Sequence, residues 1–194
     1  MKNKYPTVYI KNDEINLKTN NIIIIRGPKN TGKTLIAVDL IQQYNNIDNV
    51  EIISCIKSKK YTGDRNIIDI NLKEYLQELL LNLEEDEDLY TRTEQHIIFL
   101  DGFDVENSEL VSLLNKILEK IKFSSYTFII TTRCRNKNII VPDLIIRTNV
   151  RDDYDLLKIT HQSILYDDPK ISIIKKPNYN KKLFDYLNKL GIEF

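Results

Sequence analysis

The segment Gly27-Pro28-Lys29-Asn30-Thr31-Gly32-Lys33-Thr34 constrains this chain more than any other stretch. It is preceded by Ile22–Ile25, a β-branched run that reads as a buried strand. It is followed by Thr34–Gln43, which carries Leu35, Ile36, Val38, Leu40 and Ile41, contains no Gly or Pro, and reads as a helix. Glycines at both ends of such a turn let the backbone fold tightly, so that successive N–H groups point inward. The helix that starts near Gly32 aims its positive dipole end at the same place. The combination is a cradle for an anion, and the Gly-x-x-x-x-Gly-Lys-Thr spacing is that of a phosphate loop. Lys33 is expected to bridge the β- and γ-phosphates of a nucleotide, and the Thr34 hydroxyl to ligate Mg²⁺. Gly27, Pro28, Lys29, Asn30, Thr31, Gly32, Lys33, Thr34 and Leu35 are the expected nucleotide contacts, largely through backbone amides.

Further strands are expected at Val50–Ile56, Ile97–Leu100 and Tyr126–Thr131, and helices at Leu72–Leu83 and Glu109–Ile121. The last helix has Asn107-Ser108 as its cap and Leu110, Leu113, Leu114, Ile117, Leu118 and Ile121 on one stripe. Leu144–Asn149 and Leu156–Thr160 flank a polar stretch and read as a strand pair. Lys181–Leu190 reads as a short helix. Strands alternating with helices imply an α/β fold in three layers, a mainly parallel sheet with helices on both faces and a late strand hairpin. The 194 residues contain no repeat and no Gly/Ser-rich linker, so one domain is expected, with its core at about 20–160 and a C-terminal extension over 161–194. In such sheets the ligand lies at the carboxyl ends of the strands.

His96-Ile97-Ile98-Phe99-Leu100-Asp101 is an apolar run closed by a carboxylate, the Walker B pattern. It places Asp101 at a strand end, where it can hold Mg²⁺ beside the phosphate loop. Thr131-Thr132-Arg133 leaves the next strand at the same edge, and Thr132 or Arg133 is expected to sense the γ-phosphate. Gly102 follows Asp101, and Ser54–Lys57 contains no carboxylate, so Asp104 is the candidate for orienting an attacking water.

These motifs resemble the additional-strand division of P-loop NTPases, over about residues 20–160. The resemblance implies that Tyr126–Thr131 is inserted between the phosphate-loop strand and the Walker B strand. Val141-Pro142-Asp143-Leu144 with Arg147-Thr148-Asn149 is similar to poxvirus-type DNA-packaging ATPases, and the late strand pair to RecA/KaiC-like ATPases. Asp101-Gly102-Phe103-Asp104 with Thr131-Thr132-Arg133 is similar to STAND NTPases, and the phosphate loop to that of AAA+ clamp loaders. The resemblance implies an Mg²⁺-dependent ATPase acting on nucleic acid through a homo-oligomer, with viral DNA packaging as the kind of task. The alternative is a STAND or AAA+ switch with slow hydrolysis. A nucleotide kinase is a third class, but the sequence has no acceptor-binding motif.

Lys and Arg total 28 and Asp and Glu total 28, which argues against a general polyanion-coating surface. Local basic segments remain: Lys57, Lys59, Lys60 and Arg65 after the second main strand, and Arg133, Arg135 and Lys137 after the fourth. Such cations contact phosphates without reading sequence, and Tyr61 could stack on a base. Arg133, Arg135 or Arg147 could instead serve a neighbouring subunit's nucleotide. Glu84–Asp88 reads as a solvated acidic loop, and His96 and His161 as structural. Cys55 and Cys134 lack metal-ligand spacing and read as buried thiols of a reduced compartment. The polar start Met1–Pro6 and the lack of an apolar stretch of ~18–20 residues lead to the expectation of a cytoplasmic protein without membrane contact, in the host cytoplasm if viral.

Overall fold

Runs of isoleucine, phenylalanine and threonine build the centre of the molecule, because β-branched and aromatic side chains suit a pleated surface buried on both faces. The computed structural model describes residues 7–8, 22–42, 49–55, 71–133, 142–148, 156–161, 170–175 and 185. Its elements in chain order are β1 (Thr7–Val8), β2 (Ile22–Arg26), α1 (Lys33–Ile41), β3 (Val50–Ser54), α2 (Leu72–Glu85), β4 (His96–Asp101), α3 (Ser108–Lys120), β5 (Tyr126–Thr132), β6 (Leu144–Arg147), β7 (Leu156–His161) and β8 (Lys170–Lys175).

The strands form a single sheet in the order β1-β8-β7-β6-β2-β5-β4-β3. Strands β6, β2, β5, β4 and β3 run parallel. β7 is antiparallel to both β6 and β8, which is the expected late hairpin. β5 lies between β2 and β4, so the chain has the additional-strand arrangement of the P-loop NTPase fold. β1 and β8 extend the sheet beyond the expected strands, and β8 lies within the segment expected to be an extension. Of the expected C-terminal helix only Asp185 is among the described residues.

Alternation along each strand divides the core into two layers. Ile23 and Ile25 of β2, Ile97 and Phe99 of β4, Ile129 of β5 and Leu144 and Ile146 of β6 pack with Ile36, Ala37, Leu40 and Ile41 of α1. Ile22, Ile24, Ile98, Leu100, Phe128 and Ile130 face the other way, against Leu76 and Leu83 of α2 and Leu114, Ile117 and Leu118 of α3. This is the expected three-layer α/β fold. Tyr75 ties α2 to the sheet by donating its hydroxyl to Glu51 Oε2 at 2.8 Å. Burial, and then the neighbouring Glu51 carboxylate, push the Tyr75 phenol well above its ordinary range.

Of the α3 stripe, Leu114, Ile117, Leu118 and Ile121 are buried, Leu110 and Leu113 are half-buried, and Val111 joins the buried face. The cap is Asn107, whose Oδ1 accepts from the N–H groups of Glu109 and Leu110 at 3.1 and 3.2 Å. His96 stacks on Tyr126 with ring centroids 5.1 Å apart, a packing role at the amino end of β4. The acidic run is partly helical, and Asp86 pairs with Arg92 at 3.1 Å. Among the described residues no helix is long and apolar enough to cross a membrane. In urea denaturation, Leu114→Ala should cost about 2–5 kcal/mol through loss of buried methyl groups. Asn107→Ala should cost ~1 kcal/mol through loss of the cap.

Candidate functional site

Between β2 and α1 the backbone makes two left-handed steps, Asn30 at φ 60° and Gly32 at φ 80°. Gly32 occupies the N-cap position of α1 and supplies no side-chain cap; the first turn carries no acidic residue. α2 and α3 differ, since Asn71 and Asn107 cap them and Glu74 and Glu109 stand in their first turns. The first backbone bond into α1 is Ile36 N–H to Gly32 O at 3.0 Å. The N–H groups of the first turn have no carbonyl four residues back within the helix, which is why helix starts suit anions. The Leu35 side chain packs on the core, so its expected contact is through the backbone. Pro28, Lys29 and Asn30 are exposed at the rim, while Thr31 is buried.

The Lys33 ammonium lies over the loop, donating to Gly27 O at 3.0 Å and Pro28 O at 2.6 Å. Thr34 faces the sheet and donates to Asp101, with Oδ1 and Oδ2 each at 3.0 Å. Both residues are buried, at 7% and 8% exposure, so the pair is shielded from bulk water. The two motifs that the sequence predicts as partners are thus in direct contact.

A hydroxyl that the sequence reading did not single out completes the arrangement. Thr131 of β5 donates to Asp101 Oδ1 and accepts from Gly102 N–H at 2.7 Å. Ile129 and Thr131 share the α1 face, and Thr132 alternates to the other. The side-chain contact to Asp101 from this strand end is made by Thr131. Thr132 contributes its carbonyl, which accepts from Gly27 N–H at 3.3 Å. Arg133 is exposed where β5 ends. The only signal for Thr131 over Thr132 is strand parity: Thr131 is an even number of positions from Ile129.

Asp104 is exposed, and its Oδ1 accepts from Glu106 N–H at 2.9 Å, closing its own turn. That is the bond of a residue closing the turn before α3. Cys55 follows β3 and donates its N–H to Asp101 O at 2.9 Å. Burial, then the negative charge of Asp101, push the Cys55 thiol up to about 12. Lys57, Lys59, Lys60, Tyr61, Arg65, Cys134, Arg135 and Lys137 lie outside the described residues. Among the described residues no cluster of three or more His, Cys, Asp or Glu side chains gathers, so a protein-only metal cage is not built there. An oxygen site of one carboxylate and one hydroxyl suits a hard cation that keeps water and phosphate as its other ligands.

A second missed residue is Thr148, directly after β6. Its N–H donates to Arg26 O at 3.1 Å, and its hydroxyl meets that of Thr31 inside the phosphate loop. Asp143, at the other end of β6, accepts from Ile22 N–H at 2.9 Å.

No protein-family model matches the chain, and no curated protein matches it. Among solved structures it is similar to the genome packaging NTPase B204 of Sulfolobus turreted icosahedral virus 2. In the sulfate complex the TM-score is 0.49 at 10% identity, covering 83% of this chain and 98% of that one. In the ATP-gammaS complex the TM-score is 0.44 at 11% identity, covering 82% and 98%. The flagellar accessory protein FlaH of Methanocaldococcus jannaschii aligns with a TM-score of 0.33 at 16% identity, covering 82% and 91%.

Thr131→Val should lower stability by about 1–3 kcal/mol, because Asp101 and Gly102 N–H lose a buried partner. Thr131→Ser should retain most of that stability in the same denaturation experiment. At pH 8 a Cys134→Ser variant should be alkylated at Cys55 at least about a hundredfold more slowly than a free cysteine, because only the thiolate reacts. Unfolding should remove the difference.

Proposed function

We propose that this chain is an Mg²⁺-dependent P-loop ATPase. The observation that carries the reading is the pair of 3.0 Å hydrogen bonds from Thr34 to Asp101, set directly behind the phosphate loop. Those oxygens fit a divalent cation in chemistry, and Lys33 with the loop amides that follow Pro28 fits the triphosphate in charge. On this reading Thr34 and Asp101 hold Mg²⁺, which when bound neutralises charge on the β- and γ-phosphates. Lys33 exchanges the carbonyls of Gly27 and Pro28 for phosphate oxygens. Its ammonium then faces the bond being broken, where a fixed cation lowers the barrier. Thr131 keeps the Asp101 carboxylate turned toward Thr34.

The work is proposed to be done on nucleic acid by a homo-oligomer, with DNA packaging or translocation as the task. Support comes from the sequence resemblance and from the basic segments. Lys57, Lys59 and Lys60 follow β3 in the chain, and Arg135 and Lys137 follow β5; both strands end at the edge that carries Asp101. A second reading has an observation of its own. Asp104 engages one carboxylate oxygen with Glu106 N–H, and Gly102 rather than a carboxylate follows Asp101, which favours a slowly hydrolysing STAND or AAA+ switch.

Phosphate release measured with and without DNA separates the two. A motor turns over faster with DNA, and added salt suppresses the rise because phosphate contacts release counterions. A switch ignores DNA. Lys33→Ala should lower turnover about a hundredfold or more; unchanged turnover would remove the phosphate loop from the mechanism. If Asp104 orients the water, Asp104→Asn slows hydrolysis without weakening nucleotide binding. Equal rates would take Asp104 out of that role.

A further inference from the structure

Gly27 does not have a left-handed backbone; the positive φ values among the described glycines belong to Gly32 and Gly102. Conformation alone would therefore permit alanine at position 27. Space does not. A Cβ built on Gly27 overlaps Thr148 Oγ1, and stands 3.3 Å from both Thr148 Cβ and Thr31 Oγ1. What excludes a side chain at the first glycine of the loop is a residue 121 positions away in the chain.

The same hydroxyl has a polar partner. Thr31 donates its single hydroxyl proton to Pro28 O at 2.9 Å, which leaves Thr148 as the donor in the Thr31–Thr148 bond. Thr148 is fully buried and Thr31 is 5% exposed, so neither hydroxyl is solvated in its place. Thr148 is held in turn by its N–H bond to Arg26 O, which carries the β2–β6 ladder one residue past the end of β6. One threonine thus touches the loop at its entry, Gly27, and at its midpoint, Thr31.

We propose that Thr148 is a positioning residue for the phosphate loop: it sets the requirement for glycine at 27 and holds Thr31 so that the loop amides converge. The proposal rests on the phosphate-binding reading above. It places the control of loop shape on β6, outside the strand-loop-helix motif. A loop whose shape depends on a buried contact from another strand loses affinity when that contact is removed, even if every residue of the motif is intact.

The test is a double-mutant cycle between positions 27 and 148. Binding of a fluorescent ATP analogue with Mg²⁺ and the midpoint of thermal unfolding are both measured for each full-length variant. Thr148→Val keeps the shape and removes the hydroxyl; it should weaken binding about tenfold, while Thr148→Ser should stay close to the original chain. Gly27→Ala should lower both affinity and melting midpoint. Adding Thr148→Ala should restore a large part of both, because the overlapping oxygen is gone. If Gly27→Ala alone binds and melts like the original chain, or if Thr148→Ala brings back neither quantity, the proposal is overturned. If the original chain binds no ATP, the phosphate-binding reading fails and the positioning role with it, whatever the melting cycle shows. If the chain binds ATP and the cycle shows no coupling, the reading stands and the role of Thr148 falls.

Discussion

Parallel pairing of β2 with β5, and of β5 with β4, is the constraint on which the site depends. Parallel strands end at the same edge, so the loop leaving β2 and the carboxylate ending β4 emerge together. The intervening strand also keeps them apart by two strand spacings, about 10 Å. α1 closes that gap. It lies against β2, β5 and β4, and its first turn delivers Thr34 across β5 to Asp101. Thr131, at the end of the strand in between, supports the same carboxylate.

A second regularity follows from burial. Among the described residues, the buried polar side chains at the carboxyl edge are Asp101 and a set of threonines: Thr31, Thr34, Thr131, Thr132 and Thr148. Threonine fits a strand end because it is β-branched, and its hydroxyl both donates and accepts. Buried hydroxyls must find partners, so each contact specifies a geometry. Thr34 and Thr131 orient Asp101, and Thr31 and Thr148 orient the loop. The charged groups that would act on a nucleotide, Lys33 and Asp101, both hydrogen-bond to loop carbonyls or threonine hydroxyls, which offsets part of the cost of burying the Asp101 charge.

Much of this was legible in the chain. The isoleucine run, the glycine spacing and the apolar run before Asp101 are local signals, and each corresponds to an observed element. The α3 stripe and its Asn107 cap were equally plain. Less legible were β1 and β8. β1 has only two residues, and the Ile-rich core of β8 is too short to separate from an extension by pattern alone. The Thr131 contact to Asp101 was not singled out, and strand parity is what puts that hydroxyl on the α1 face. Asp104 also closes its own turn, since an aspartate before a helix readily bonds a backbone N–H two residues on.

By itself the sequence determined the local chemistry: a tight glycine turn, a lysine and a hydroxyl at a helix start, and a carboxylate at a strand end. Those features depend on neighbours a few residues apart, where backbone geometry is set by residue type. Only the tertiary structure decided which hydroxyls serve Asp101 and why position 27 admits no side chain. Those answers depend on strand order and register, which bring residues 30 to 121 positions apart into contact and leave no periodic trace along the chain.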